Sequence, residues 1–376
     1  MNQTLRIGRI FGIEVGVNWS VLLIFALIWG TLAFSELPLS RPGQSLTVYV
    51  GAGAIAALLF FISLLAHELG HAVLARRNGI GVQGITLWLL GGVSKLAGEP
   101  DDPATEVRIS GVGPLISLLL GGFFFAVAQL GADAAIPGIA IDVLGWLGAI
   151  NIVLGIFNLL PAAPLDGGRL LRAVVWKLTG DRFRGTVVSS RVGQVFGVAM
   201  IGLGIVAAFT LYGLSGLWLS LVGAFLVVSA RGEERQARVL RVLATMYVGQ
   251  IMRPTHPLRS TMTVAQVLMG LDDQRTEQGW PVVDDQDSLT GLLTLDRLLA
   301  VDPQYRSSTT LSQLARSLAP TLKVSPQSGL DGLMGLLSDT PQQWALVEVA
   351  GRPVGVIGPS DMARAWQMAQ LRSTYR

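Results

Sequence analysis

The 376-residue sequence predicts a polytopic α-helical membrane domain, with six transmembrane helices and a short β-hairpin, followed by a soluble α+β domain. Three observations predict it. Hydrophobic residues make up 51% of the chain and charged residues 14%, with mean hydropathy +0.54, whereas an ordinary soluble domain carries about 25% charged side chains. The charge is also uneven: Met1 to Arg231 holds 14 Lys/Arg and 11 Asp/Glu, and the shorter stretch from Gly232 to Arg376 holds 14 and 14. The last observation is a set of uncharged windows, each near the roughly 20 apolar residues that a membrane helix needs.

In chain order these windows are Val17 to Phe34, Leu46 to Ala66, Gly111 to Ala132 and Val143 to Pro161. The stretch from Val192 to Ala230 is too long for one helix and divides at Tyr212-Gly213-Leu214-Ser215-Gly216, giving spans Val192 to Leu211 and Leu214 to Ala230. Arg6 and Arg9 precede a first span that is too long for a signal peptide and lacks a small-residue cleavage site. The charged run Arg231, Glu233, Glu234, Arg235, Arg238 and Arg241 reads as a linker helix over 232–247, between a membrane domain of residues 1–231 and a soluble domain of residues 248–376. Sixteen Lys/Arg residues fall on the side of the N-terminus and Arg41 alone on the other, so the positive-inside rule places both termini in the cytoplasm.

Composition narrows the chemistry. A net charge of +3 is too small for a nucleic-acid-binding stripe. Cys is absent, which excludes disulfides, thiolate zinc sites and cysteine catalysis, and leaves any metal to His, Asp and Glu.

Two of the three histidines form His67-Glu68-Leu69-Gly70-His71 at the end of the second span. Positions i and i+4 share one helix face, so both imidazoles can reach one metal ion. Glu68 sits beside them, where a carboxylate can take a proton from water. Imidazole and carboxylate ligands in a tetrahedral site suit one Zn2+ per chain and leave a fourth position open. Ionisable residues interrupting an apolar span are costly, which favours a functional reading over a mere helix end with side chains reaching into the headgroups.

A third protein ligand is needed, and topology narrows it. Asp133 and Asp142 lie on the opposite side of the membrane, and Glu99, Asp101, Asp102 and Glu106 fall in a Glu-Pro-Asp-Asp-Pro stretch that reads as a mobile loop. Asp166 follows the fourth span on the correct side, after two prolines that stiffen the approach; Gly167 and Gly168 then let backbone come close to the helix carrying the imidazoles. The alternative for Asp166 is an N-cap of a helix beginning near Arg169.

The membrane half resembles the site-2 protease family of intramembrane zinc metalloproteases. The resemblance rests on His67 to His71, on Asn158 to Gly168 with its Leu-Asp-Gly core, and on Gly111-Val112-Gly113-Pro114-Leu115 opening the third span. It implies His67, His71 and Asp166 as zinc ligands, Glu68 as catalytic base, and a membrane-spanning protein substrate cut within or at the edge of the lipid bilayer. For Asn158 it suggests a polar contact to substrate or to the developing oxyanion; a helix–helix hydrogen bond is the alternative. Ile80, Val82, Ile85, Leu87, Leu89 and Leu90, ending in Gly91-Gly92, read as short strands beside the zinc helix. Their edge can hold an unfolded substrate as an added strand, or the hairpin can plug the cytoplasmic mouth.

The soluble half repeats internally: a 64-residue displacement aligns Thr276, Gln278, Trp280, Val283 and Gly291 with Thr340, Gln342, Trp344, Val347 and Gly355. Each copy, about 248–306 and 307–370, reads as helix, strand, turn, strand, helix. This resembles a tandem pair of CBS domains, a regulatory module that often binds adenine nucleotides. The resemblance implies Thr294, Asp296 and Asp361 as nucleotide contacts, yet Arg297 stands at one Asp position and Gly358 at one hydroxyl position, so a structural or homodimerising pair is the competing reading. Gly197, Gly202 and Gly204 suggest close helix packing in the fifth span, and His256 reads as a solvated loop residue. Two function classes follow: an intramembrane zinc endopeptidase releasing membrane-anchored regulators under CBS control, or a CBS-gated transporter or channel in which the histidine motif is incidental. The absence of inverted repeats argues against the latter.

Overall fold

A computed structural model describes residues 5–88, 91–96, 98–133, 136–210, 214–270, 279–315, 323–330, 332–333, 337 and 344–374. The chain divides into two compact units, Met1–Glu234 and Arg235–Arg376.

The first unit holds strands β1 (Leu5–Ile10) and β2 (Ile13–Val17), then helix α1 (Ser20–Thr31), which passes through a π-turn at Leu32–Glu36 into α2 (Leu37–Ser40). Helix α3 (Leu46–Arg77) leads to β3 (Val82–Trp88) and β4 (Gly91–Leu96), and these to α4 (Pro103–Asp133), α5 (Gly138–Asn158), α6 (Asp166–Thr179) and α7 (Arg182–Thr210). Helix α8 (Leu214–Leu243) crosses from the first unit into the second. Among the described residues six helices are long and apolar enough to span a membrane: Ser20–Ser40, Leu46–Arg77, Pro103–Ala132, Gly138–Asn158, Arg182–Thr210 and Gly216–Leu243. Each overruns its uncharged window at one end, because hydrogen-bonded backbone can continue into charged sequence; α7 starts at Arg182, where the uncharged window starts at Val192. The charged run from Arg231 to Arg241 is likewise the end of α8 rather than a separate helix.

One sheet of order β1-β2-β3-β4 lies against α3. Its outer pairs are antiparallel hairpins and its central β2–β3 pair is parallel, with Val15 opposite Ile85 and Val17 opposite Leu87. Ile13, Ile85 and Leu87 pack on Phe61, Leu64 and Ala72 of α3, so the sheet is fixed to the helix that carries His67 and His71. The hairpin β3–β4 is where the hydrophobic pattern placed it. Strands β1 and β2 were not anticipated, because Ile13, Val15 and Val17 run directly into the apolar window of the first span and hide the two-residue period.

Helices in the first unit approach closely at glycines. A Cβ on Gly197 would lie 2.7 Å from the Gly223 carbonyl oxygen, and one on Gly204 would lie 2.6 Å from that of Gly216, so α7 and α8 pack backbone to backbone. Gly202, placed in the same group by sequence, faces open space.

The second unit contains α9 (Val248–Ile251), β5 (Arg253–Pro254), β6 (Leu258–Arg259), α10 (Val264–Gly270), β7 (Gly279–Val283), β8 (Leu289–Thr294), α11 (Leu295–Leu299), α12 (Leu311–Leu314), β9 (Lys323–Val324), β10 (Ala345–Val349), β11 (Arg352–Ile357) and α13 (Pro359–Thr374). The repeat is real in three dimensions. Strand β7 pairs parallel with β6 and antiparallel with β8, as β10 does with β9 and β11, and each hairpin carries one register shift. Trp280, Val283 and Gly291 correspond to Trp344, Val347 and Gly355; Thr276, Gln278, Thr340 and Gln342 lie outside the described residues. The copies interleave, which sequence alignment does not reveal. Strand β5 pairs with β11, and Val248 and Ile251 join the core around Leu346 and Ile357, while Leu311 joins the core around Val282 and Leu293. Val239, Leu243 and Met246 also belong to the core around Leu346, so 235–247 is part of this domain's packing.

Close packing of α7 on α8 makes a direct prediction. Gly204→Val should destabilise the membrane unit by about 1–3 kcal/mol, the usual cost of overpacking, while Gly202→Val should leave it nearly unchanged. Thermal unfolding of the two variants in detergent measures the difference.

Candidate metal centre

His67 and His71 lie one turn apart on α3 and are both buried, at 3% and 6% exposure. Their Nε2 atoms are 3.2 Å from each other, and each is 3.1 Å from Oδ2 of Asp166. Among the described residues these three form a group able to hold a metal, with all ligand atoms within 4.8 Å of one another.

The ring orientations are set from α4. Nδ1 of His71 donates to the Ile109 carbonyl at 2.6 Å; because that oxygen can only accept, the proton is on Nδ1 and Nε2 presents its lone pair. Nδ1 of His67 meets Ser117 Oγ at 2.9 Å. Hydrogen bonds of this kind fix tautomer and ring direction in metal-binding histidines. Between these two contacts α4 carries Gly113, where a Cβ would lie 2.6 Å from His67 Nε2 and closer still to that of His71. The residues therefore fit a cation. Two imidazole nitrogens and a carboxylate oxygen converge in a buried space kept open by a missing side chain, and this donor set suits zinc with a fourth position free.

Asp166 is the first residue of α6, with Leu165 at the N-cap, so the helix starts three residues before Arg169 and Asp166 is not its cap. Its loop is held by the Ala163 amide, which donates to the Ser189 carbonyl of α7 at 3.2 Å, and contains a cis Ala163–Pro164 bond. Gly167 and Gly168 have a different role from the one expected: their close neighbours are the backbones of Leu159, Leu160, Ala162 and Ala163. They fold the loop back onto itself, and it is Gly113 that approaches the imidazoles.

Glu68 follows His67 on α3, about 100° further round the helix. Strand β4 lies over it. Ser94 Oγ donates to Glu68 Oε2 at 3.2 Å, and a Cβ on Gly92 would lie 2.6 Å from Glu68 Cδ.

Other expectations are corrected. Glu106 is in the first turn of α4 rather than a loop; it is 1% exposed and accepts from Arg172 Nε at 2.7 Å. Pro103 starts that helix, and Asp102 accepts from the Ala104 and Thr105 amides at 2.9 Å. The Gly111 to Leu115 motif accordingly sits inside α4 instead of opening it. Asn158 ends α5, and its amide donates to the Leu154 carbonyl of its own helix at 3.0 Å rather than to a neighbouring helix. Ile109, Gly113 and Ser117 were not identified as site residues from sequence. Their spacing of four places them on one face of α4, and a stripe with a small residue at its centre is the signal that points to them.

In the second unit Asp361 is fully buried. It accepts from Arg253 Nε and Arg364 Nη2, each at 2.6 Å, and from the Gly358 amide at 3.0 Å. A Cβ on Gly358 would lie 2.6 Å from the Trp344 ring, which explains why no hydroxyl residue stands there. Thr294 is the N-cap residue of α11 with Asp296 in its first turn, and His256 is exposed between β5 and β6.

Fold and site together define a class: an integral membrane metalloprotease, with a two-histidine, one-aspartate centre among helices long and apolar enough to span a membrane, and an internally repeated α+β unit after it. The family described as Peptidase family M50 matches residues 55–135 and 128–203. Rip3 of Mycobacterium tuberculosis, named as a zinc metalloprotease, is 38% identical over 381 residues, covering 100% of this chain and 96% of its own. The Synechocystis protein sll0528, likewise named, is 30% identical over 98% of this chain and 96% of its own, and zinc metalloprotease MJ0392 of Methanocaldococcus jannaschii is 26% identical over 99% and 98%. The solved site-2 protease of Methanocaldococcus jannaschii is 28% identical, covers 61% of this chain and 94% of its own, and has a TM-score of 0.43. CBSX2 in complex with AMP is 24% identical over 32% of this chain and 96% of its own, with a TM-score of 0.27. On the full-length relatives, the chain belongs to peptidase family M50, which sets aside the transporter or channel reading.

The Ser117 hydroxyl on Nδ1 of His67 holds that ring toward the metal position. Ser117→Ala should weaken zinc binding by about 10-fold while His67→Ala abolishes it, because outer partners of metal-binding histidines are worth roughly 10–100-fold in affinity. Elemental analysis after titration with a competing chelator reads both.

Proposed function

We propose that this chain is an intramembrane zinc endopeptidase that hydrolyses peptide bonds in or near the membrane-spanning segments of regulatory proteins. The observation that carries the reading is the convergence of His67, His71 and Asp166 at the end of an apolar helix, with Glu68 held between that helix and strand β4. Zinc at this site supplies Lewis acidity toward the scissile carbonyl and toward water. Glu68 takes the proton of the attacking water as its oxygen joins the carbonyl carbon, and delivers that proton to the departing nitrogen as the C–N bond breaks.

Strand β4 is the last in its sheet, so its outer edge is available for an extended segment to pair with. A transmembrane helix has its peptide groups sequestered in its own hydrogen bonds, and pairing as a strand presents them instead. The sixteen-to-one distribution of Lys and Arg supports cytoplasmic termini and a cytoplasmic CBS pair, which acts as a regulatory or homodimerising module.

Glu68→Gln is expected to retain zinc and lose turnover by about 100- to 10,000-fold, the range that general acid–base groups contribute. Cleavage of a single-span protein substrate in reconstituted vesicles, with zinc measured on the same sample, is the assay; retained hydrolysis at full zinc occupancy contradicts the mechanism.

Adenine nucleotide should bind the CBS pair weakly, because Asp361 is already engaged by two guanidinium groups and Trp344 fills the space beside Gly358. Calorimetry with AMP and ATP belongs on a fragment starting at Arg235, since one starting at Val248 lacks the core residues Val239 and Leu243. Tight stoichiometric binding there would overturn this expectation.

A further inference from the structure

We infer that Glu106 is a positioning residue for the metal centre: through Arg172 and Arg169 it fixes the setting of α6, and thereby the place of Asp166 beside the two histidines. The inference rests on the zinc reading proposed above. Asp166, Arg169 and Arg172 follow one another at intervals of three on α6, so they share one side of a short helix. Both Nε and Nη2 of Arg172 donate to Oε1 of Glu106, and Nε of Arg169 is 3.7 Å from the same oxygen. The carboxylate is almost wholly enclosed, and a buried ion pair of this kind is weak evidence of stabilisation, since apolar residues of similar volume commonly do as well. Its directional bonds give what apolar packing does not, a defined rotation and height of one helix against another.

Helix α6 needs such a restraint. Val174 and Leu178 on it are exposed, so apolar contact with the rest of the unit does not clamp its whole length, yet its first residue must supply a ligand atom to within a few tenths of an ångström. The partner is also the right one. Glu106, Ile109, Gly113 and Ser117 recur on α4 at intervals of three and four, so one stripe of that helix meets each part of the site. Ser117 orients His67, Ile109 orients His71, Gly113 leaves the space between them, and Glu106 holds the helix that brings Asp166. All three ligands are thus referred to one helix.

The test uses the full-length protein in detergent and the variants Glu106→Gln, which keeps shape and removes charge, and Arg172→Lys, which keeps charge and removes the fork. Zinc affinity is measured by chelator competition, Co2+ is substituted to read its d–d spectrum, and thermal unfolding is followed on the metal-free proteins. Each variant is expected to lose about 10–100-fold in zinc affinity and to shift the Co2+ spectrum. At saturating zinc, kcat falls with KM unchanged. Two variants are used so that failure of Glu106→Gln to fold leaves Arg172→Lys to decide. If wild-type protein binds no zinc, the zinc reading and this inference fall together. If wild-type binds zinc and a folded variant matches it in affinity and Co2+ spectrum, whatever its unfolding temperature, the positioning role alone is overturned.

Discussion

The first unit is organised by the passage of α4 across the His67–His71 pair at Gly113. Electron-rich atoms brought together away from water repel one another and lose hydration, so the surrounding structure must hold them against that tendency. Helix α4 does this with a carbonyl at Ile109 and a hydroxyl at Ser117, which engage both Nδ1 atoms and leave both Nε2 atoms facing inward. A side chain at position 113 would force the helices apart and release both contacts at once. The sheet packed on α3 adds to the support, since Ile85 and Leu87 share a core with Phe61 and Leu64, about two turns and one turn before His67.

That arrangement also explains what the sequence reveals and what it conceals. The membrane spans are legible because hydrocarbon imposes a composition on every residue it touches, and His67 with His71 because a four-residue interval is a geometric statement in a helix. Asp166 could be reached by topology, as a carboxylate on the correct side after a stiffened turn. The supports were not legible. Ile109 acts through its backbone, which no residue type encodes, and Gly113, although it stands in the Gly111 to Leu115 motif, acts by an absence that its residue type alone does not place against the imidazoles. Glu106 was misread because Pro103, taken as a loop residue, is instead a helix start, where proline is at home.

The second unit shows the complementary limit. Its repeat is visible because the two copies keep matching strand residues, but the exchange of their flanking segments is a tertiary choice made by burial. Val248 and Ile251 stand before the first copy in sequence and pack with the second, and Leu311 stands near the second and packs with the first. The departures from the nucleotide signature become intelligible once Trp344 is seen against Gly358 and, at 2.7 Å from a Cβ position there, against Gly279. Glycines from both copies make room for one indole, and Asp361 is drawn into an internal network with Arg253 and Arg364.

Glu68 is where the two architectural themes meet. Its helix belongs to the apolar bundle and its immediate cover is a strand, and a strand with side chains facing the carboxylate would exclude it from the reacting groups. Gly92 removes that obstacle, so β4 lies on Glu68 with bare backbone while Ser94 orients one carboxylate oxygen. On the proposed reading, an added chain would pair with the outer edge of β4 and be recognised through its main chain. An enzyme working in this way would select by the readiness of a membrane helix to unwind into a strand more than by the side chains at the scissile bond.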